Sequence, residues 1–353
     1  MTRRILLLRH AMPDIPLGER WCIGGQCDLS LGRLGRIQAA RLPFMPELNK
    51  IGTVFCSPLH RAVETAQPLC SKPIQVAGLE EQRMGLWDGL SFREIQARWP
   101  KLYAARETNP SLLPEGAESP EAVRQRMEAA VFRCLHACEG DLLIVSHKSA
   151  IASLTGHRSR LGYASLSVLR VENGVLVPER VGIQPLPEPD DALCLAMLKA
   201  SGAEEKLIAH CLAVTACADE LCAALLASGL TLDSKAVHRA ALLHDLSKGE
   251  AEHALVGGQW LRELGYPLLA DIVRQHTEPD SAELNEAGLV FLADKLVRGD
   301  RRVSLEDRFA ASMKKCLSPE AKAAHARRQA LAISLAEEIN RRCQSAIINI
   351  HGT

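Results

Sequence analysis

Three segments bearing histidine or arginine each follow an apolar run in the first half of the chain. Arg9 and His10 follow residues 4–8, Ser57 to Ala62 (with Arg61) follow Val54-Phe55-Cys56, and Ser146-His147 follow Leu142 to Val145. A short run that is apolar throughout marks a strand buried on both faces. Ligands of open α/β sheets sit at the carboxyl ends of the strands. Three strand ends are therefore expected to bring imidazole and guanidinium groups to one sheet edge. A guanidinium offers an oxyanion a planar fork of donors, and a neutral imidazole offers a nucleophilic lone pair. The second half carries a different set. His244-Asp245 ends an apolar stretch, His210 precedes it, and His253, His276 and Asp294 follow in segments of helical period. Imidazole and carboxylate together suit a divalent transition metal.

The elements that must position these groups differ between the halves. Helical patterns lie near residues 33–42, 59–70, 91–99 and 120–138, alternating with the strands. Ser119-Pro120 is a helix start, with Ser as the cap and Pro in the first turn. Asn173-Gly174 interrupts an alternating run near 164–182 and predicts a hairpin. Strands alternating with helices imply an α/β domain with a mainly parallel sheet and helices on both faces. Residues 184–191 carry three prolines and no apolar period, which reads as a boundary. Beyond it Ala and Leu recur in helical periods to about residue 345, so the second domain is expected to be all-α. The expected domains are 1–185 and 190–353.

Bulk properties exclude some classes. The 353 residues include 42 Lys+Arg and 42 Asp+Glu, so the net charge is zero. Residues 1–185 hold 23 basic and 18 acidic residues, and the remainder has the opposite excess. Neither half is basic enough to bind nucleic acid through charge alone. Twelve cysteines contain no Cys-x-x-Cys pair, so they read as reduced thiols of a cytoplasmic protein rather than zinc ligands or disulfides. The first ten residues are too short in apolar length for a signal peptide. No run of about 18 apolar residues predicts a membrane span.

The blocks around the first three segments carry a resemblance. Leu6 to Pro13, Gly25 to Leu31, Gly35 to Ala39, Cys56 to Ala66 and Leu79 to Leu90 together resemble the histidine phosphatase family over about residues 4–182. They are most like its small cofactor-phosphatase branch, such as the α-ribazole phosphatases. The resemblance implies that His10 is the nucleophile and becomes phosphohistidine. It implies that Arg9, Arg61 and His147 hold the phosphoryl oxygens, and that Glu81 protonates the leaving oxygen and then deprotonates water. His10 must then be neutral at its attacking nitrogen, with the other nitrogen donating to backbone. No cofactor is implied. The short span from Glu81 to His147 favours a phosphatase over a mutase. The family usually has Gly after the nucleophile. Ala11 there predicts a strained or shifted loop if the position needs a positive φ. Lys148 either adds charge to the pocket or is solvated.

The order His210, His244-Asp245, His253, His276, Asp294 resembles the HD superfamily over about residues 191–300. Leu292 to Arg298 is similar to HD hydrolases acting on dinucleoside polyphosphates and to HD domains fused to nucleotidyltransferases. The resemblance implies that His210, His244, Asp245 and Asp294 hold one metal ion, of Fe, Mn, Ni, Co or Zn. With His253 and His276 the set suffices for two, Asp245 bridging. Lys248 either contacts a substrate phosphate or is a helix-end cation. His238 is expected to be structural. A bifunctional phosphohydrolase results, acting on small phosphorylated metabolites and, in its HD half, on a nucleotide-like substrate. The alternative is a phosphatase regulated by a non-catalytic, nucleotide-sensing HD domain.

Overall fold

The computed structural model describes residues 3–49, 51–109 and 111–351. The chain forms two compact units, Met1–Pro187 and Glu188–Thr353. In the first unit β1 (Arg4–Arg9) and β2 (Trp21–Cys22) precede α1 (Arg33–Ala40), β3 (Thr53–Cys56), α2 (His60–Ala66) and β4 (Ile74–Gln75). Then come β5 (Leu90–Ser91), α3 (Phe92–Arg98), α4 (Pro100–Thr108), α5 (Pro120–Ala137), β6 (Leu142–Ser146), α6 (Lys148–Thr155), β7 (Leu166–Glu172) and β8 (Val175–Ile183).

Six strands form one sheet in the order β4-β3-β6-β1-β7-β8. β4, β3, β6 and β1 pair in parallel, and β7 and β8 add antiparallel strands at one side. β1 alternates strictly. Ile5 and Leu7 join a core with Met127, Ile144 and Ile151 on one face, and Leu6 and Leu8 join Val54, Ala62 and Val145 on the other. Burial on both faces is why residues 4–8 read as one apolar run. Asn173 and Gly174 have φ of 49° and 78° and turn β7 into β8, as a two-residue hairpin with both central residues at positive φ does. Ser119 caps α5 by accepting from the Ala122 N–H. The helix α4 was not expected; its weak amphipathic pattern buries no residue fully.

The second unit is helical. It runs through α7 (Asp191–Ala200), α8 (Glu205–Ala227), α9 (Ser234–Leu243), α10 (His253–Glu263), α11 (Pro267–Val273) and α12 (Glu286–Lys295) to α13 (Leu305–Met313) and α14 (Pro319–Arg342). It departs from an all-α expectation in one place. β9 (Val297–Arg298) and β10 (Arg301–Arg302) pair as a two-stranded ribbon around Gly299, too short for a period-2 pattern to be legible. α8 also qualifies the expectation on membrane spans, being long and apolar enough to cross a membrane by length and composition. Its face from Cys211 to Leu225 is buried, and it packs against α9 and α12. All twelve cysteines are free. Burial pushes the thiols of Cys194, Cys211 and Cys217 up to about 12, so they pack as small apolar groups rather than react.

One glycine couples α1 to the loop after His10. A Cβ at Gly35 would lie 1.9 Å from the Met12 carbonyl oxygen, and the same oxygen accepts from the Gly32 N–H. Gly35→Ala should therefore cost about 1–3 kcal/mol, the usual range for overpacking. Hydrogen exchange of the β1 amides in mild urea is the check. Unchanged protection would show that the loop yields without cost.

Candidate active site and metal centre

Parallel pairing places three strand ends side by side. Arg9 on β1 is in register with Ser146 on β6, and Cys56 on β3 with Val145. The ladder runs on past the strands, with His10 N–H donating to Ser146 O and Ser57 N–H to Val145 O. His10, Arg61 and His147 are all buried. The rings of His10 and His147 stand 4.9 Å apart.

Hydrogen bonds fix the state of each group. His10 Nδ1 lies 2.7 Å from Ala11 O. A carbonyl only accepts, so Nδ1 carries the proton and Nε2 keeps its lone pair. Burial first, then the charges of Arg61 and Arg9, hold His10 well below the ordinary histidine value. Ser57 Oγ accepts from the Leu59 N–H and lies 2.8 Å from His147 Nε2. The Ser57 hydroxyl thus holds His147 Nε2 and leaves Nδ1 as the ring atom facing away from it. His147 is likewise held low, by burial and then by Arg61, His10 and Arg9. Arg61 forks to Cys27 O and Gly24 O. Arg9 donates to Leu161 O and lies over the Tyr163 ring at 3.9 Å. The Nε of Arg9, the Nε of Arg61 and His147 Nδ1 are buried without a partner. Buried polar atoms without partners are costly, and the two guanidinium Nε donors beside the His147 ring can serve an oxyanion.

The Glu81 carboxylate caps the first turn of α6. Its Oε1 accepts from the N–H groups of Gln82, Ser149 and Ala150 at 2.8–3.2 Å, and Oε2 accepts from the Ser149 N–H at 3.1 Å. Lys148 is partly buried. Burial, then Arg9, Arg158 and Arg20, lower its pKa. It therefore shares the field of the site cations instead of standing in bulk water.

In the second unit six side chains converge in two groups. His210, His244 and Asp294 form one, and Asp245, His253 and His276 the other, with ligand atoms within 4.8 Å of one another in each. Asp245 faces both. Its Oδ1 lies 3.2 Å from His253 Nε2 and 3.5 Å from His276 Nε2, while Oδ2 lies 3.5 Å from His244 Nε2. His210, His244 and His276 each place Nδ1 at 2.7–2.8 Å from a main-chain carbonyl, of Gly299, Ala241 and Val273. Each Nδ1 must donate there, which leaves Nε2 as the ligand atom of a neutral ring; burial lowers the His210 pKa, but the Asp294 carboxylate beside Nε2 outweighs this and raises it. His244 Nε2 is buried without a hydrogen-bond partner. Burial lowers His244 to about 4, so its ring is neutral at pH 7. The Nε2 atoms of His253 and His276 face each other at 3.2 Å. Lone pairs aimed together beside two carboxylates fit a cation. The cavity in front, about 710 Å³, is lined by these groups and by Lys206, Lys248, Lys295, Arg298 and Arg308.

Comparisons with known proteins find two domain families in the chain. The model of the histidine phosphatase superfamily (branch 1) matches residues 5–179, and that of the HD domain matches residues 207–299. The chain carries a histidine phosphatase domain and an HD domain. A bifunctional protein of Mycobacterium tuberculosis is 30% identical over 181 residues, covering 47% of this chain and 49% of that protein. The chain thus spans about half the length of that relative. Glucosyl-3-phosphoglycerate phosphatase of the same species is 29% identical over 181 residues, covering 48% of this chain and 80% of that protein. The native structure of the mycobacterial glucosyl-3-phosphoglycerate phosphatase overlays on 52% of this chain and all of its own, with 24% identity and a TM-score of 0.46.

Within the histidine phosphatase domain, the structure brings Arg9, His10, Arg61, Glu81 and His147 together. Ala11 does not have a positive φ. Its methyl is buried in the core and its N–H donates to Thr65 Oγ1, so the loop carries no strain from the missing glycine. Ser57 and Tyr163 escaped sequence reasoning. Ser57 lay inside a quoted motif without a role, and Tyr163 lies far from every motif, reached only through the fold. In the HD domain all six residues converge, and His253 points into the cluster. Lys248 lies 3.0 Å from Asp245 Oδ2, at the cavity mouth and half exposed. Lys295 was also unforeseen; it pairs with Asp294 at 2.5 Å. All three of Arg298, Arg301 and Arg302 are exposed, and of them Arg298 lines the cavity. His238 lies between Asp219 and Asp191 at 2.9 and 2.8 Å, outside the cluster.

The two buried histidines of the phosphatase domain link stability to pH. Both stand well below 6.5 when folded, whereas the unfolded chain titrates near 6.5. Their contribution is complete above pH 6.5 and is lost as pH falls from there towards the folded values, because only the unfolded chain takes up the protons. The slope reaches about 3 kcal/mol per pH unit for two protons. Urea denaturation of the first unit between pH 7 and 5 should show the loss, and His10→Asn with His147→Asn should flatten it. An unchanged slope in that double variant would place the protons elsewhere.

Proposed function

We propose that the chain is a bifunctional phosphohydrolase, with a phosphohistidine-forming phosphatase in the first domain and a metal-dependent hydrolase in the second. The observation that carries the first half is the His10 Nδ1 held by the Ala11 carbonyl beside the orphaned Nε donors of Arg9 and Arg61. The Nε2 lone pair attacks phosphorus, and the ester P–O bond breaks. The Glu81 carboxyl gives a proton to the departing oxygen. Glu81 then takes a proton from water as the water oxygen attacks phosphorus and the N–P bond breaks, releasing phosphate and restoring His10. Arg9, Arg61 and His147 hold the equatorial oxygens throughout, which is the charge stabilisation phosphoryl transfer needs most. The named phosphatase relatives support a small phosphorylated metabolite as substrate.

In the HD domain His210, His244 and Asp294 would hold one ion and His253 and His276 a second, with Asp245 spanning both. The chemistry such ions supply when bound is Lewis-acid activation of a phosphoryl oxygen and of water. Lys248 and Lys295 neutralise the two aspartates and stand at the cavity, where with Arg298 they can meet the phosphates of a nucleotide-like substrate. Imidazole and carboxylate ligands are compatible with Fe, Mn, Ni, Co or Zn.

The two halves separate by mutation. His10→Ala should abolish chelator-resistant hydrolysis of p-nitrophenyl phosphate, a drop of at least about 10³-fold, and leave metal-dependent phosphodiester hydrolysis intact. Asp245→Asn should do the reverse and also lower bound metal in elemental analysis. Turnover of p-nitrophenyl phosphate by His10→Ala in chelator would refute the first half. Full metal content in Asp245→Asn would refute the second.

A further inference from the structure

The side chain of Glu81 is held by the N–H groups of Gln82, Ser149 and Ala150. Its main chain, residues 78–81, is neither helix nor strand, so the carbonyls there need other donors. Side chains serve four of them in succession. Ser146 Oγ donates to Leu79 O at 2.7 Å. Arg126, on α5, serves the other three. Its Nη1 donates to Gly78 O and Glu80 O at 2.9 and 2.8 Å, and its Nη2 to Glu81 O at 3.1 Å.

Glu118 takes the remaining donors of Arg126. Nε meets Oε1 at 2.7 Å, and Nη2 meets Oε2 at 2.9 Å. Every N–H of the guanidinium is then matched with an acceptor. Glu118 is buried. Burial raises its pKa, but the Arg126 bonds and charge outweigh that and the net shift is downward, so the carboxylate stays ionised and the fork stays formed. Glu118 also binds the Glu81 segment directly. Its main-chain O accepts from Gln82 Nε2 at 2.7 Å, and its N–H donates to Arg83 O at 2.9 Å. A planar fork fixes direction as well as distance, so the main chain of Glu81 takes its orientation from the plane of Arg126.

We propose that Arg126, itself set by Glu118, is a positioning residue that aims the Glu81 carboxyl at the leaving oxygen. It acts through Glu81 and not on the reacting atoms. The proposal rests on Glu81 being the acid for that oxygen. A misplacement of about 1 Å costs about 10²-fold, and here the loss falls on esters whose leaving oxygen needs a proton. A p-nitrophenolate departs without one, whereas a simple alkoxide does not.

The test compares kcat/KM for p-nitrophenyl phosphate with that for n-propyl phosphate, on the full chain in chelator. This constant reports the step that breaks the ester bond, and the ratio of two substrates in one sample does not depend on how much of the protein is folded. In Arg126→Gln the ratio should rise about tenfold or more over the unaltered chain. Arg126→Lys keeps the charge but loses the fork, and should also raise it. Glu81→Gln should raise it at least as far, and adding Arg126→Gln to that variant should change it little further. A ratio that rises in Glu81→Gln but stays at the unaltered value in both Arg126 variants would overturn the proposal and leave Glu81 as the acid. A ratio unmoved by Glu81→Gln would remove Glu81 as the acid, and the proposal with it.

Discussion

A hydrogen bond from imidazole Nδ1 to a main-chain carbonyl decides the chemistry of both domains. In the first, Ala11 O holds the His10 proton, and Nε2 is left as a nucleophile. In the second, Ala241, Val273 and Gly299 do the same for His244, His276 and His210, and their Nε2 atoms are left as ligands. A tautomer chosen by backbone costs no other side chain and cannot rotate away. Burial then keeps the His10 and His244 rings neutral. The difference in outcome comes from the neighbours. Guanidiniums beside His10 suit a phosphoryl anion, whereas Asp245 and Asp294 beside the second set suit a cation.

The rest of each fold serves these bonds. Three parallel strands bring Arg9, Ser57 and Ser146 into line, and their apolar alternation buries both faces of the sheet. In the HD domain α8, α9 and α12 pack together and deliver His210, His244 with Asp245, and Asp294. The lysines are part of the same electrostatic design. Lys248 and Lys295 each neutralise one aspartate while facing the cavity.

Much of this is legible in the sequence for a physical reason. Strands buried on both faces leave unbroken apolar runs, so β1, β3 and β6 and the residues just beyond them can be located without coordinates. The His and Asp order of the HD domain is equally visible. What stayed hidden depends on tertiary register. Tyr163 reaches Arg9 only because β7 folds back on β1, and Ser57 orients His147 only because β3 and β6 are neighbours. Ala11 looked unfavourable when judged by residue type, but its loop needs no positive φ. The ribbon of β9 and β10 is too short to leave a pattern, yet Gly299 in its turn holds His210.

A neutral His10 whose Nε2 attacks phosphorus is the central claim. Rapid acid-free quenching of the full chain with a ³²P-labelled phosphomonoester, followed by peptide mapping, tests it most directly. The label should appear transiently on His10, stable in base and labile in acid, as expected of an N–P bond. Steady turnover with no label on the protein, or label on any other residue, would contradict it.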